Sequence, residues 1–267
     1  LDDVLTAQCH ITLHGDLDVE RLQTALQTVV DRHEIFHTVF QETPGLTLPL
    51  QVIQSQGTIV WQLVDLTTDL TTSAADVMAT CRQTERLKLL ATGEAGTRAV
   101  LFKQDEQQHI LLLTLPAMCA DADTYGILLA QLSQCYGSSS LGEDPVQYVQ
   151  FATWQEQLLS ENDEDAQTAR SFWQQQEQLA YRPLLPPLRY RGTKPEAFIP
   201  QVHRLELASD VTNSILAMAP AGETTLLTSW LILLWRHTQT AEISVGVTCA
   251  GRQDEDLAAA CGPFAGT

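Results

Sequence analysis

Residues 7 to 13 alternate, with Ala7, Cys9, Ile11 and Leu13 on one side and Gln8, His10 and Thr12 on the other. That period predicts a half-buried strand, with His10 and His14 on its polar face. From Asp18 the period changes: Val19, Leu22, Leu26, Val29 and Val30 recur at helical spacing. An amphipathic helix is expected there, capped by Asp16 or Asp18 and ending near Arg32-His33-Glu34. A second helix is expected from Ser73 to about Leu90. Two β-like runs follow, Arg98 to Phe102 and His109 to Leu115, and the second has the continuous apolar character of a buried central strand. It leads into Pro116-Ala117-Met118-Cys119-Ala120-Asp121-Ala122-Asp123, after which Tyr125, Ile127, Leu128, Leu129, Leu132 and Tyr136 fit a helix. Residues 116 to 123 therefore read as a strand-to-helix loop, a frequent seat of chemistry.

Beyond the flexible break Gly137-Ser138-Ser139-Ser140, residues 145 to 180 look helical around Trp154 and Trp173. Tyr181 to Pro200 carries five prolines and no periodicity, which reads as an extended linker. A second unit is expected after it, with a strand over Val202 to Leu207, a helix capped by Ser209, an apolar helix over Thr225 to His237 and a strand over Glu242 to Thr248. The pattern predicts an α/β chain with one lobe over 1–180, a linker over 181–200 and the start of a second lobe over 201–267, the two lobes meeting in a V.

Charge narrows the partners. With 33 acidic and 15 basic residues the net charge is -18, which repels phosphate backbones and anionic lipid, so neither nucleic acid nor a membrane surface is expected. No run approaches the roughly 20 apolar residues needed to span a bilayer. The opening LDDVLTAQCH lacks a secretory pattern and does not begin with Met, which reads as a fragment of a cytoplasmic protein. Six cysteines without a CxxC pair read as buried, reduced thiols.

Four ordered blocks carry a resemblance. LQTALQTVVDRHEIFHTVF, residues 22 to 40, is similar to a first helix followed by the signature RHExLRTxF, with His37 where arginine is usual. Residues 107 to 136 are similar to the strand, loop and helix around the motif HHxxxDG. PVQYVQFATW, residues 145 to 154, and the pair Phe172-Trp173 match a third block. Thr224 to Arg252 with its AGR turn, followed by Gly262-Pro263-Phe264, matches a fourth. On these blocks the chain resembles the condensation-domain superfamily of nonribosomal peptide synthetases, with its two-lobed chloramphenicol acetyltransferase-like fold. The family's domain is considerably longer, so the second lobe is expected to be incomplete.

The resemblance also locates what is missing. Aligning on Asp121 and Gly126 puts Pro116 and Ala117 at the two histidine positions, Asp121 at the motif Asp and Ala122 at the motif Gly. In the family the second histidine positions or deprotonates the acceptor amine, work suited to an imidazole titrating near neutrality. Neither Pro116 nor Ala117 accepts a proton. Asp121 is expected to be structural, paired with His37 in place of the family's arginine, or with Arg32 as a substitute. His109 reads as an exposed strand-end histidine too far from Pro116 to help, and Cys119 has no neighbouring base to activate it. In the DAD spacing, Asp123 reads as the cap of a helix beginning at Thr124 in preference to a metal ligand. The acidic clusters Glu161 to Asp165 and Asp254 to Asp256 read as solvated surface or as docking patches for a basic partner.

The resemblance implies a module that has lost amide synthesis and holds a carrier protein domain or recruits a tailoring enzyme, as interface domains do with hydroxylases and X-domains with oxygenases; the interface-domain logic fits better, because X-domains generally keep a recognisable histidine. No metal or bound cofactor is expected; the phosphopantetheine arm of a partner carrier would bring the substrate. The alternative is a condensation-fold enzyme with altered chemistry on carrier-bound thioesters: ester formation, epimerisation, dehydration or cyclisation. A free-standing acyltransferase is a third, poorer fit.

Overall fold

The computed structural model describes residues 6–266 apart from 42, 48, 68–72, 93–95, 161–163, 178–204, 219–221 and 241. The chain divides into two compact units, one formed by Leu1–Ser160 with Thr248–Thr267 and the other by Glu161–Val247. The expected linker, 181–200, lies outside the described residues, as does the first half of the strand expected over 202 to 207, whose described residues 205–207 are irregular.

In the first unit β1 (Thr6–His14), β4 (Ile59–Asp65), β5 (Thr97–Lys103) and β6 (Gln108–Pro116) form one sheet in the order β1-β6-β5-β4. β6 is antiparallel to both of its neighbours, and β4 runs parallel to β5. The register sets Thr6 opposite Pro116 and His14 opposite Gln108. A short antiparallel pair, β2 (Thr38–Gln41) and β3 (Leu50–Ile53), stands apart from this sheet.

The period change at Asp18 produces α1 (Val19–Arg32), whose first turn is capped by the Asp18 carboxylate accepting from the Arg21 N–H. Its apolar stripe, Leu22, Leu26, Val29 and Val30, packs with Leu128 and Leu132 of α3 (Ala122–Tyr136) on one face of the sheet, against Leu111, Leu113 and Leu115. α2 (Ala74–Thr92) covers the other face, where Met78 and Cys81 meet Val100, Phe102 and Leu112. β5 and β6 are thus buried on both sides, which explains their unbroken apolar sequence.

His109 departs from the expected exposed strand end. It is 5% exposed, because β6 is a central strand at that point, with Leu13 on one side and Lys103 on the other. The cysteines also differ from expectation: Cys119 and Cys261 are buried, Cys9, Cys81 and Cys135 are half-buried, and Cys249 is exposed.

The helical stretch after 145 resolves into α4 (Tyr148–Ser160) and α5 (Glu164–Glu177). α6 (Ser209–Met218) and α7 (Gly222–Thr238) follow in the second unit. Residues 242–248 are irregular where a strand was expected, and Cys249 instead bridges to Gly266. The segment 248–267 belongs with the first unit and not with the second lobe predicted for 201–267. The physical reason lies in how that segment is held at the start of α3. Among the described residues no single helix is long and apolar enough to cross a membrane.

Candidate functional site

β6 delivers the chain to Pro116, where a tight turn begins and the Cys119 N–H donates to the Pro116 carbonyl at 2.9 Å. Pro116 and Ala117 are half-buried, Met118 is 46% exposed and Cys119 is buried. The turn ends at Asp121, whose extended backbone (φ -105°, ψ -175°) makes it the cap of α3. Its Oδ1 accepts from the Thr124 N–H at 2.8 Å and from the Thr124 hydroxyl at 2.7 Å. The helix therefore starts at Ala122, so Asp121, not Asp123, takes the capping role expected of the latter.

The same carboxylate holds a guanidinium. Arg252 Nη1 donates to Asp121 Oδ2 at 2.8 Å and Nη2 donates to Oδ1 at 3.0 Å, with both side chains under a tenth exposed. Such a two-pronged pair is stronger and more directional than a single ionic contact. Arg252 also donates to the carbonyls of Ala260 (2.9 Å) and Gly262 (3.0 Å), and its guanidinium lies 4.4 Å from the Phe264 ring centroid. Oδ2 accepts further from the Phe264 and Ala265 N–H groups at 3.0 and 3.1 Å. Burial alone would raise the Asp121 carboxyl, but the Arg252 and Thr124 hydrogen bonds outweigh it and hold it down at about 2.

Neither partner expected for Asp121 is present. His37 is buried at the end of a 3-10 turn, with Nε2 2.7 Å from the Val30 carbonyl. Arg32 turns the other way, donating to the carbonyls of Leu141, Gly142 and Glu143 and lying 3.6 Å from Asp144. Both flank the end of α1, and that local geometry leaves Asp121 to a residue 131 positions later in sequence. Arg252 stands in the AGR turn of the fourth block, so the signal was visible although its partner was not.

Around this clasp, Thr124 Oγ1 lies 2.9 Å from the Gly262 carbonyl and 3.1 Å from its N–H, and Phe264 stacks edge-on against Tyr148 at 5.1 Å. His33 Nε2 is 2.8 Å from Gln131 Oε1 and 3.7 Å from Cys261 Sγ. Burial pulls His33 below the ordinary imidazole range despite the opposing bond from Gln131.

Of the sequence-predicted site residues, the fold brings together Pro116, Ala117, Asp121 and Ala122 by contiguity and adds Arg252. No base is gathered there among the five described histidines of this unit. His33 and His37 are engaged as above. His109 precedes Pro116 by seven residues on β6, about 23 Å at a strand's rise per residue. His10 and His14 are exposed on β1, opposite Leu112 and Gln108. Burial pushes the Cys119 thiol up to about 12, so it is protonated at neutral pH and a poor nucleophile. No group of three or more His, Cys, Asp or Glu among the described residues could hold a metal ion.

What the geometry provides is a rigid frame around a loop with no proton acceptor at its head. The family model for the Condensation domain matches residues 5–267. The chain belongs to the condensation-domain family. It is 26% identical over 274 residues to bacitracin synthase 2 of Bacillus licheniformis, covering 100% of this chain and 10% of that protein. Its fold matches the condensation domain from the monacolin K polyketide synthase MokA with a TM-score of 0.78 at 22% identity, covering 98% of this chain and 61% of that one. It also matches the complex of the X-domain and OxyB from teicoplanin biosynthesis with a TM-score of 0.72 at 24% identity, covering 97% and 58% of the respective chains. The chain thus spans a small part of the curated relatives and about three fifths of the solved domains. Family and fold agree with the expectation from the ordered blocks.

Proposed function

We propose that this condensation-family chain does not itself form amide bonds by histidine chemistry and works as a docking module, engaging a carrier protein domain or a tailoring enzyme. The observation that carries the reading is Pro116-Ala117 at the two histidine positions, on a loop whose Asp121 is still clasped by Arg252. The frame is retained and the base is gone. A fold that keeps a buried ion pair of this quality at a site unable to accept a proton is suited to presenting a surface. The teicoplanin X-domain solved with OxyB is a condensation-like fold beside a partner protein, which supports a recruiting role by analogy of fold. The phosphopantetheine arm of a carrier is the form in which substrate would arrive.

The test uses donor and acceptor carriers loaded with aminoacyl thioesters, read out by intact-protein mass spectrometry, alongside titration of each carrier and of a neighbouring hydroxylase. The expected result is no dipeptidyl product above the carrier-only background, with measurable binding of at least one protein partner. Dipeptide or ester product at enzymatic rates would overturn the reading in favour of altered chemistry on thioesters.

A further inference from the structure

Helix α4 carries Phe151, Trp154 and Leu158 at i, i+3 and i+7, the spacing of one apolar stripe. These side chains line a groove of about 820 Å³ whose opposite wall is the segment 251–257, with Leu257 as its apolar member. Trp154 and Leu158 are 56% and 47% exposed, far more than side chains of their size that belong to a core. Asp254 and Asp256 stand on the same wall, and no lysine or arginine is among the described residues that line the groove. Arg252, the nearest cation in that segment, is buried and committed to Asp121.

The wall is fixed in advance. The Asp121–Arg252 clasp holds one end, Asp254 accepts from the Asp256 N–H at 3.1 Å, and a Cβ at Gly251 would collide with the Phe264 carbonyl, so this stretch sits tight against its neighbours. A preformed groove spares a partner the entropy of ordering it.

We propose that this groove receives the apolar side of a short, basic amphipathic helix from a partner protein. An apolar stripe beside a rim whose charges are acidic selects bulky apolar anchors at i, i+3 and i+7, flanked by lysine or arginine, the helix-in-groove mode of recognition. A second copy of this chain is the wrong partner electrostatically, since it would bring acidic rims and two charges of -18 together. The proposal rests on the docking reading and narrows it, assigning the contact to this face and a cationic helix to the partner.

The experiment titrates the chain with two fluorescein-labelled helical peptides that share apolar positions and differ in carrying Lys or Glu on their flanks, followed by fluorescence anisotropy. The expected result is that the Lys peptide binds roughly tenfold or more tighter than the Glu peptide, with the gap shrinking as salt rises. Trp154→Ala should weaken the Lys peptide by roughly tenfold or more, as expected for a central aromatic anchor. Asp256→Lys should weaken the Lys peptide and strengthen the Glu peptide. Both altered side chains are exposed, and unchanged circular dichroism confirms that the fold is intact. Equal binding of the two peptides, binding that neither substitution moves, or a dimer in sedimentation that Trp154→Ala dissolves would overturn the assignment. The carrier assay reports separately: dipeptide formation there removes the docking reading while this titration still stands, whereas a failed titration without dipeptide removes only the groove.

Discussion

At Asp121 one carboxylate caps a helix, accepts two further backbone N–H groups and pairs with a buried guanidinium. Its carboxyl is held at about 2 against an ordinary 3.8, which corresponds to about 2 kcal/mol of stability carried by the ionised form. Because the folded value is the lower one, that stability is present above about pH 4 and is lost as pH falls toward about 2. Urea unfolding across this range should show the loss in the parent chain, and Asp121→Asn should flatten it. The same substitution removes the buried counter-charge of Arg252, 6% exposed in its side chain, and leaves it only the more exposed Asp123 carboxylate at 3.6 Å, so stability at neutral pH should drop by roughly 3 kcal/mol. Ala117→His should give no dipeptidyl product in the carrier assay, because Pro116 and Ala122 also depart from the motif. A misplacement of about 1 Å can reduce a rate by about 100-fold. Robust product from that single variant would show that only the base was missing.

Between elements, α1 and its following 3-10 turn are locked by a close approach. A Cβ at Gly57 would lie 2.6 Å from Val30 Cγ1 and 2.7 Å from His37 Cδ2, and the His37 ring is itself held by the Val30 carbonyl. Gly57→Ala should therefore lower stability by about 1–3 kcal/mol through overpacking, measured as a fall in the denaturation midpoint at constant slope. The elements that were easiest to read in sequence share a feature: each has one strongly dictated environment. β1 alternates because one side faces α1 and α3, and β6 is apolar over Ile110–Leu113 because helices cover both its faces. β2, β3 and β4 gave no such signal: β2 and β3 are four residues each, and β4, seven residues long, mixes half-buried and exposed positions. The strand expected over 242 to 248 had the right composition, but those residues are irregular, and the bridge in this stretch is the one from Cys249 to Gly266.

At the scale of the molecule, a charge of -18 acts on every encounter. Association with a basic protein partner should slow as ionic strength rises, because steering is screened beyond about 10 Å at 0.1 M salt. Stopped-flow association rates against salt check this, and a flat dependence would assign binding to the apolar contacts alone. The two compact units also show where linear reading misleads. Thr248–Thr267 follows the second unit in sequence and yet belongs to the first, because Arg252 and the Phe264 and Ala265 N–H groups are needed at the head of α3.

The family, the α/β class, α1 with a cap at Asp16 or Asp18, the central strand and the Pro116-Ala117 pair ahead of Asp121 are all properties of residue type at a spacing along the chain. Local sequence carries them because periodicity and motif order survive without knowledge of what folds back. The partner of Asp121 was of another kind. His37, Arg32 and Arg252 all carry side-chain nitrogens compatible with a carboxylate partner, and nothing in their spacing ranks them. Only the packed structure chooses, by turning His37 to Val30 and Arg32 to the 141–144 loop, and by bringing Arg252 across 131 positions to a buried carboxylate that needs a counter-charge. The groove beside α4 belongs to the same class, since its two walls are distant in sequence and meet only in the folded unit.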